Sequence, residues 1–143
     1  MTIQQISVFL ENRAGQLAEI TNVLAQNNID LRAIHIAETT DYGVLRLIAD
    51  RAQDAANVLL NNGFILSMTP VVAAAVPDRP GGLAQLLTVL AQADVDIEYM
   101  YSMFGRGDGL AYMVFRVKDA EQLETILRSH GVTPAAGPDL GLN

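Results

Sequence analysis

The strongest constraint on the fold is that the chain carries one pattern twice. Residues 11–18 align with residues 77–84 at an offset of 66, and both segments contain Arg-x-Gly-x-Leu-Ala. At the same offset, residues 23–26 and 89–92 both spell Val-Leu-Ala-Gln. Self-similarity at one spacing indicates repeated structural units. We therefore predict two units, residues 1–69 and 70–143, with Pro70 as the break between them.

Each copy has the same predicted order of elements. In the first copy, β-branched and aromatic runs predict strands at residues 6–10, 29–36, 44–48 and 64–68. Apolar residues at helical spacing predict helices over residues 17–24 and 52–62. The second copy repeats this order, with strands at 71–76, 95–103, 110–117 and from 132, and helices from 83 and over 120–130. The predicted order is βαββαβ, twice.

This order predicts an α+β fold of two ferredoxin-like units side by side. Right-handed crossovers place both helices of a unit on one face of a four-stranded antiparallel sheet. The second strand of each unit lies at an edge of its sheet, and uncovered edges promote aggregation. Pairing residues 30–40 with residues 96–104 would cover both edges. We therefore expect the two sheets to merge into one eight-stranded sheet with the helices on one face.

Composition excludes several classes of function. The 143 residues include 16 acidic and 9 basic side chains, which give a net charge of −7 and argue against nucleic acid as a partner. The chain start lacks a signal-peptide profile, and no apolar run reaches the ~18 residues that span a bilayer. We expect a soluble cytoplasmic protein without a membrane partner. The absence of cysteine removes disulfides and thiolate sites, and with only His35 and His130 we expect neither a metal nor a cofactor.

The repeated turn has the chemistry of an anion site. In each copy an Arg-x-Gly turn joins a strand to the start of a helix, where unpaired N–H groups carry partial positive charge. A carboxylate binds well at such a position. Asn12 and Asp78 precede the turns, where their oxygens could accept from an ammonium group. From local spacing alone, a role as helix caps is favoured for these two residues, since such residues are common at that position.

The two turns resemble those of ACT domains, which are small ligand-sensing modules of amino-acid metabolism. The resemblance lies in residues 78–83, Asp-Arg-Pro-Gly-Gly-Leu, together with residues 93–97 that open the second strand. The first copy matches less closely at residues 12–17 and 28–31. Ala14 replaces the family's usual proline, and Asp30 and Asp96 stand where many amino-acid-binding members have asparagine.

The resemblance implies ligand sites where the two units meet, with Asn12 acting alongside Asp96 and Asp78 alongside Asp30. The predicted ligand-binding residues are Asn12, Arg13, Ala14, Gly15, Gln16, Leu17 and Asp30 in the first copy, and Asp78, Arg79, Pro80, Gly81, Gly82, Leu83 and Asp96 in the second. The site at Asp78 matches the family better, so we rank it above the site at Asn12.

The predicted function is that of a non-catalytic sensor. It would bind a free amino acid between its units, form a homodimer and regulate a partner enzyme of amino-acid metabolism. Two alternatives stay open: a small ferredoxin-like enzyme, and a structural partner module that has lost ligand binding. An RNA-binding module shares the topology but requires a basic face that this acidic chain lacks.

Overall fold

The structure is a computed structural model that describes residues 2–11, 13–38 and 42–142. The chain divides into two compact units. Residues Gln4–Thr69 form the bulk of the N-terminal unit, and residues Pro70–Leu140 form the bulk of the C-terminal unit.

The N-terminal unit is a sheet covered on one face by two helices. Its hydrogen-bonded strand order is β2-β3-β1-β4, and β3 runs antiparallel to both β1 and β2. The elements along the chain are β1 (Ile3–Glu11), α1 (Gln16–Gln26), β2 (Leu31–Glu38), β3 (Tyr42–Ala49), α2 (Ala52–Asn61) and β4 (Leu66–Pro77), of which residues 66–69 belong to this unit.

The core of the N-terminal unit lies between that sheet and its helices. In β1 the residues Ile6, Val8 and Leu10 alternate toward the core, as expected for the two-residue period of a strand. They pack with the apolar faces of both helices, of which Ile20 and Leu59 are fully buried. The helices therefore lie on one face of the sheet, as predicted.

The C-terminal unit repeats this arrangement with fewer strands. Its strand order is β4-β6-β5, and both pairings are antiparallel. Its core joins Val72 and Phe115 of the sheet to Leu90, Leu123 and other apolar residues of the helices. The further elements are α3 (Gly82–Gln92), β5 (Tyr99–Ser102), β6 (Leu110–Arg116), α4 (Ala120–Ser129) and a 3₁₀ turn over Gly137–Leu140.

The predicted eight-stranded sheet is wrong, because the described residues form six strands. One strand is lost because β4 runs continuously from Leu66 to Pro77 through Pro70. Proline fits an extended backbone and only removes one N–H donor, so Pro70 does not interrupt the strand. The other is lost at the end of the C-terminal unit, where the predicted strand from residue 132 is reduced to a single bridge between Ala74 and Pro134.

The predicted pairing of residues 30–40 with residues 96–104 is also not seen among the described residues. There, β2 pairs with β3, and β5 pairs with β6. The strand β5 is shorter than the predicted span 95–103.

Adjacent leucines on α2 offer a matched test of this core. Leu59 is fully buried whereas Leu60 is 52% exposed. We expect Leu59→Ala to lower the free energy of unfolding by about 2–5 kcal/mol because it leaves a cavity. Leu60→Ala should change it by less than about 1 kcal/mol. Urea unfolding of both variants measures the difference, and equal losses would contradict the described burial.

The strand-to-helix loops as candidate ligand sites

The first loop lies between β1 and α1 in the N-terminal unit. Gly15 ends the loop with a φ of 87°, a left-handed conformation that glycine adopts without steric cost. Its carbonyl accepts the first helical bond from the Glu19 amide at 3.0 Å. Ala14 lies in the turn itself. Asn12, a predicted ligand residue, lies outside the described residues.

The polar groups of the first loop are largely bonded to one another. The Gln16 side chain is buried, and its Oε1 accepts from the Glu11 amide at 2.7 Å. The Arg13 guanidinium lies 3.0 Å from the Glu19 carboxylate and 3.5 Å from that of Glu11. A small cavity of about 110 Å³ remains beside these residues and Leu17. The first loop is thus partly closed by its own side chains.

The second loop, between β4 and α3, has the same backbone path. Gly81 matches Gly15 with a φ of 87°. The Arg79 amide donates to the Pro77 carbonyl at 2.9 Å, as Arg13 does to Glu11 in the first loop.

The side chains of the second loop are free where those of the first are bonded. The Asp78 carboxylate and the Arg79 guanidinium are exposed and make no hydrogen bond or ion pair with the described residues. Asp78 is instead held through its amide, which donates to the Gly109 carbonyl at 3.0 Å. Pro80 forms the exposed turn, and Leu83 packs partly buried against the core.

The second loop has Gly82 at the position where the first loop has Gln16, and steric overlap excludes a side chain there. A Cβ on Gly82 would overlap the Pro77 carbonyl oxygen. In addition, Pro77 has no N–H that a glutamine at residue 82 could accept from. The second loop therefore has no side chain at residue 82, which is itself buried against Pro77.

The two predicted strand aspartates differ from each other. The Asp30 carboxylate lies 3.3 Å from the Arg32 guanidinium, and the Asp30 amide donates to Asp50 Oδ1 at 3.0 Å. Asp96 is exposed and lines a cavity of about 140 Å³ with Lys118 and Asp119. Neither aspartate lines the cavity at the first loop. The pairing of Asp78 with Asp30, and of Asn12 with Asp96, stays a prediction.

The sequence analysis missed a third place, a cavity of about 420 Å³ beside the 106–108 turn of the C-terminal unit. There the Tyr112 hydroxyl donates to Asp108 Oδ2 at 2.6 Å. This bond lowers the pKa of Asp108 and raises the pKa of Tyr112. The sequence does contain a signal for this place, because Ala75 is small whereas the equivalent residue of the first repeat is Phe9.

No group of three or more histidine, aspartate or glutamate side chains within residues 2–11, 13–38 and 42–142 is arranged to hold a metal ion. In the same part of the chain, none of the helices is long and apolar enough to cross a membrane.

Comparison with known proteins identifies the family. The profile described as an ACT domain pair matches residues 1–133. The chain belongs to the ACT domain pair family. The predicted resemblance is therefore confirmed over nearly the whole sequence. Modules of this family are regulatory and bind amino acids.

Several solved structures share the fold of this chain over most of their length. Protein BT0572 from Bacteroides thetaiotaomicron is 40% identical, with a TM-score of 0.90 over 99% of this chain and 96% of that one. The regulatory subunits of aspartate kinase from Thermus thermophilus and Thermus flavus are 19% and 18% identical, with TM-scores of 0.64 and 0.59. The match to the first covers 90% of each chain, and the match to the second covers 88% of each. Both proteins share the fold of this chain. No protein of curated function matches the sequence.

The overlap at Gly82 predicts a local requirement for glycine. We expect Gly82→Ala to lower the free energy of unfolding by about 1–3 kcal/mol because the backbone must shift to admit a Cβ. Gly105→Ala is the matched control, since a Cβ there meets nothing within 4 Å. Urea unfolding measures both variants. Equal, small losses would contradict the close approach of residue 82 to Pro77.

The bond between Tyr112 and Asp108 predicts a defined pH dependence. A lowered carboxyl pKa stabilises the fold above the ordinary value of 3.8, and this contribution is lost as the pH falls through the folded pKa. A raised phenol pKa stabilises it below the ordinary value of 10.0, and this is lost as the pH rises through the folded pKa. We therefore expect Tyr112→Phe to destabilise the protein most between about pH 4 and pH 10.

Urea unfolding of the wild type and Tyr112→Phe across this range measures the effect. A carboxyl NMR titration provides the control, in which Tyr112→Phe should raise the pKa of Asp108 toward its ordinary value. A stability difference that does not vary with pH would contradict the bond.

Proposed function

We propose that this tandem ACT protein is a non-catalytic sensor that binds a free amino acid at the second loop, around residues 78–83. The observation that carries the proposal is the exposed Asp78 carboxylate, which makes no hydrogen bond or ion pair with the described residues, beside the start of α3 in a chain of this family. The family is regulatory, which supports a sensor over an enzyme.

The start of α3 is suited to the carboxylate of an amino acid. The first N–H groups of a helix have no acceptor within the helix, and those of Leu83 and Ala84 fall in this class. The helix dipole adds partial positive charge at the same end. Gly81 and Gly82 carry no side chain that would keep a ligand from the backbone.

Asp78 is suited to the ammonium group of the same ligand. Its backbone is fixed by the bond to Gly109, while its carboxylate keeps its full capacity to accept hydrogen bonds. Hydrogen bonds between charged partners are about twice as strong as neutral ones. An α-amino acid carries both required charges on one carbon, so it fits the loop better than an ion of a single charge.

The first loop is the weaker candidate of the two. Arg13 forms ion pairs with two glutamates, and the Gln16 side chain accepts a hydrogen bond from the Glu11 amide. A ligand there would have to displace these contacts before it could bind. This ranks the site at Asp78 above the site at Asn12 for a physical reason, in addition to its closer match to the family pattern.

The proposed output of the sensor is the regulation of another protein. We propose that ligand binding changes the affinity for a partner enzyme of amino-acid metabolism, because allostery requires the ligand to favour one of two states. The aspartate kinase regulatory subunits share this fold, which supports an enzyme as the partner. Homodimerisation and a cytoplasmic location stay predictions from the sequence.

Thermal unfolding of the protein with each of the twenty amino acids tests the proposal. A ligand at 100 times its dissociation constant adds about 2.7 kcal/mol of stability, which raises the melting temperature by about 6 to 15 °C. We expect one amino acid, or one chemically related group, to produce this shift. Asp78→Asn should abolish it, because the ammonium group then loses its charged acceptor.

Asp54→Asn is the matched control. It removes the same charge from an exposed aspartate whose ion pair with Arg51 is at the surface, where such pairs contribute little. The control should keep the full shift. No shift with any amino acid would refute the sensor, and a shift that survives Asp78→Asn would refute the site.

A further inference from the structure

The C-terminal unit contains a second cavity that the ACT loop does not use. Its volume is about 420 Å³. Ala75 of β4 and Tyr112 of β6 lie opposite one another at its base. The hairpin residues Arg106 and Asp108 line one side, and Asp139 of the 3₁₀ turn lines another. None of the loop residues 78–83 lines it.

The repeat has diverged at one position beside this cavity. Phe9 occupies the place of Ala75 in the N-terminal unit, at the offset of 66. There the Phe9 ring lies 6.1 Å from the ring of Tyr42, and both rings line a cavity of about 460 Å³. Alanine gives the cavity of the C-terminal unit a less bulky base, beside which the charged residues lie.

One wall of the cavity is formed by residues 133–135 and 138–139, and backbone contacts to β4 hold it in place. The Ala135 amide donates to the Ala73 carbonyl at 2.8 Å, and Pro134 bridges to Ala74. The 3₁₀ turn that follows buries Leu140, which is 1% exposed. The wall is therefore part of the folded unit, so the cavity has a fixed shape.

The charged side chains around the cavity differ in how they are held by hydrogen bonds. Asp108 accepts from the Tyr112 hydroxyl at 2.6 Å and from the Leu110 amide at 3.1 Å. Asp139 accepts from the Ala136 amide at 3.0 Å. Both carboxylates keep unused acceptor positions, since an ionised carboxylate has about four. In contrast, the Arg106 guanidinium makes no hydrogen bond or ion pair with the described residues.

We propose that this cavity is a second ligand site, for a small zwitterion with an aliphatic body. Arg106 binds the carboxylate of the ligand, for which the planar guanidinium offers two parallel donors. The free acceptor positions of Asp108 and Asp139 bind its ammonium group. Ala75 and Leu110 provide the apolar contact. The site is independent of the loop at Asp78.

NMR amide spectra of the labelled protein test this site directly, because they report where a ligand binds. The probes are glycine, L-alanine, L-valine and L-leucine, with L-valinamide lacking the carboxylate and N-acetyl-L-valine lacking the ammonium group. We expect the amides of Gly107, Leu110 and Ala135 to shift with at least one zwitterion. The amide and the N-acetyl derivative of that zwitterion, as L-valinamide and N-acetyl-L-valine are for L-valine, should each bind at least about tenfold more weakly, the loss expected for one charge-assisted hydrogen bond.

Four variants assign the site. Arg106→Gln should weaken binding at these amides by about tenfold or more, whereas Arg128→Gln, the matched change on α4 away from the cavity, should not. Ala75→Phe restores the bulk of the first repeat and should abolish binding even if Arg106→Gln has a smaller effect. Asp78→Asn should leave these shifts unchanged.

Three results would overturn the second site. They are an absence of shifts at these three amides with all four zwitterions, equal affinity for the single-charge analogues, and unchanged binding in Ala75→Phe. Shifts confined to the amides of Gly81 and Gly82 are one form of the first result, and they would support the loop site instead.

Discussion

The structure depends on burying one face of a sheet beneath two helices in each unit. Alternate residues of the strands and one stripe of each helix supply this apolar interior, from Ile6 and Ile20 in the N-terminal unit to Phe115 and Leu90 in the C-terminal unit. The packing fixes where each first strand must end and where the next helix must begin. It therefore places both Arg-x-Gly turns at the start of a helix, where a polar ligand finds free N–H groups.

Duplication gave two loops with one backbone path, and single side chains then made them different. Gly15 and Gly81 share a φ of 87°. Gln16 folds back onto the end of β1, whereas Gly82 cannot carry any side chain because the Pro77 carbonyl lies in the way. The first loop thus bonds its own polar side chains to one another, whereas the Asp78 and Arg79 side chains of the second make no hydrogen bond or ion pair with the described residues. A tandem protein can in this way keep two copies of a fold while specialising one of them.

The same divergence acts on the sheet itself. Replacing the bulk of Phe9 by Ala75 removes an aromatic ring from one strand, and the chain end then forms a wall around the space. The cavity brings together Arg106, which makes no hydrogen bond or ion pair with the described residues, and two carboxylates held by hydrogen bonds. The two candidate sites of the C-terminal unit therefore differ, since one lies at the inherited turn and the other is lined by residues outside the family motif.

The sequence by itself determined the repeat, most of the order of elements and the faces of the helices, because periodicity and turn residues are local properties of the chain. The resemblance of its two turns indicated the family. It also pointed to both loops, although nothing in the spacing of Arg13 and Gln16 revealed that their side chains are bonded within the loop. Only the tertiary structure decided that β4 passes unbroken through Pro70, that the final strand shrinks to one bridge, and that residues 75, 106 and 139 share a cavity. These outcomes depend on contacts between residues distant in sequence, which local patterns do not encode.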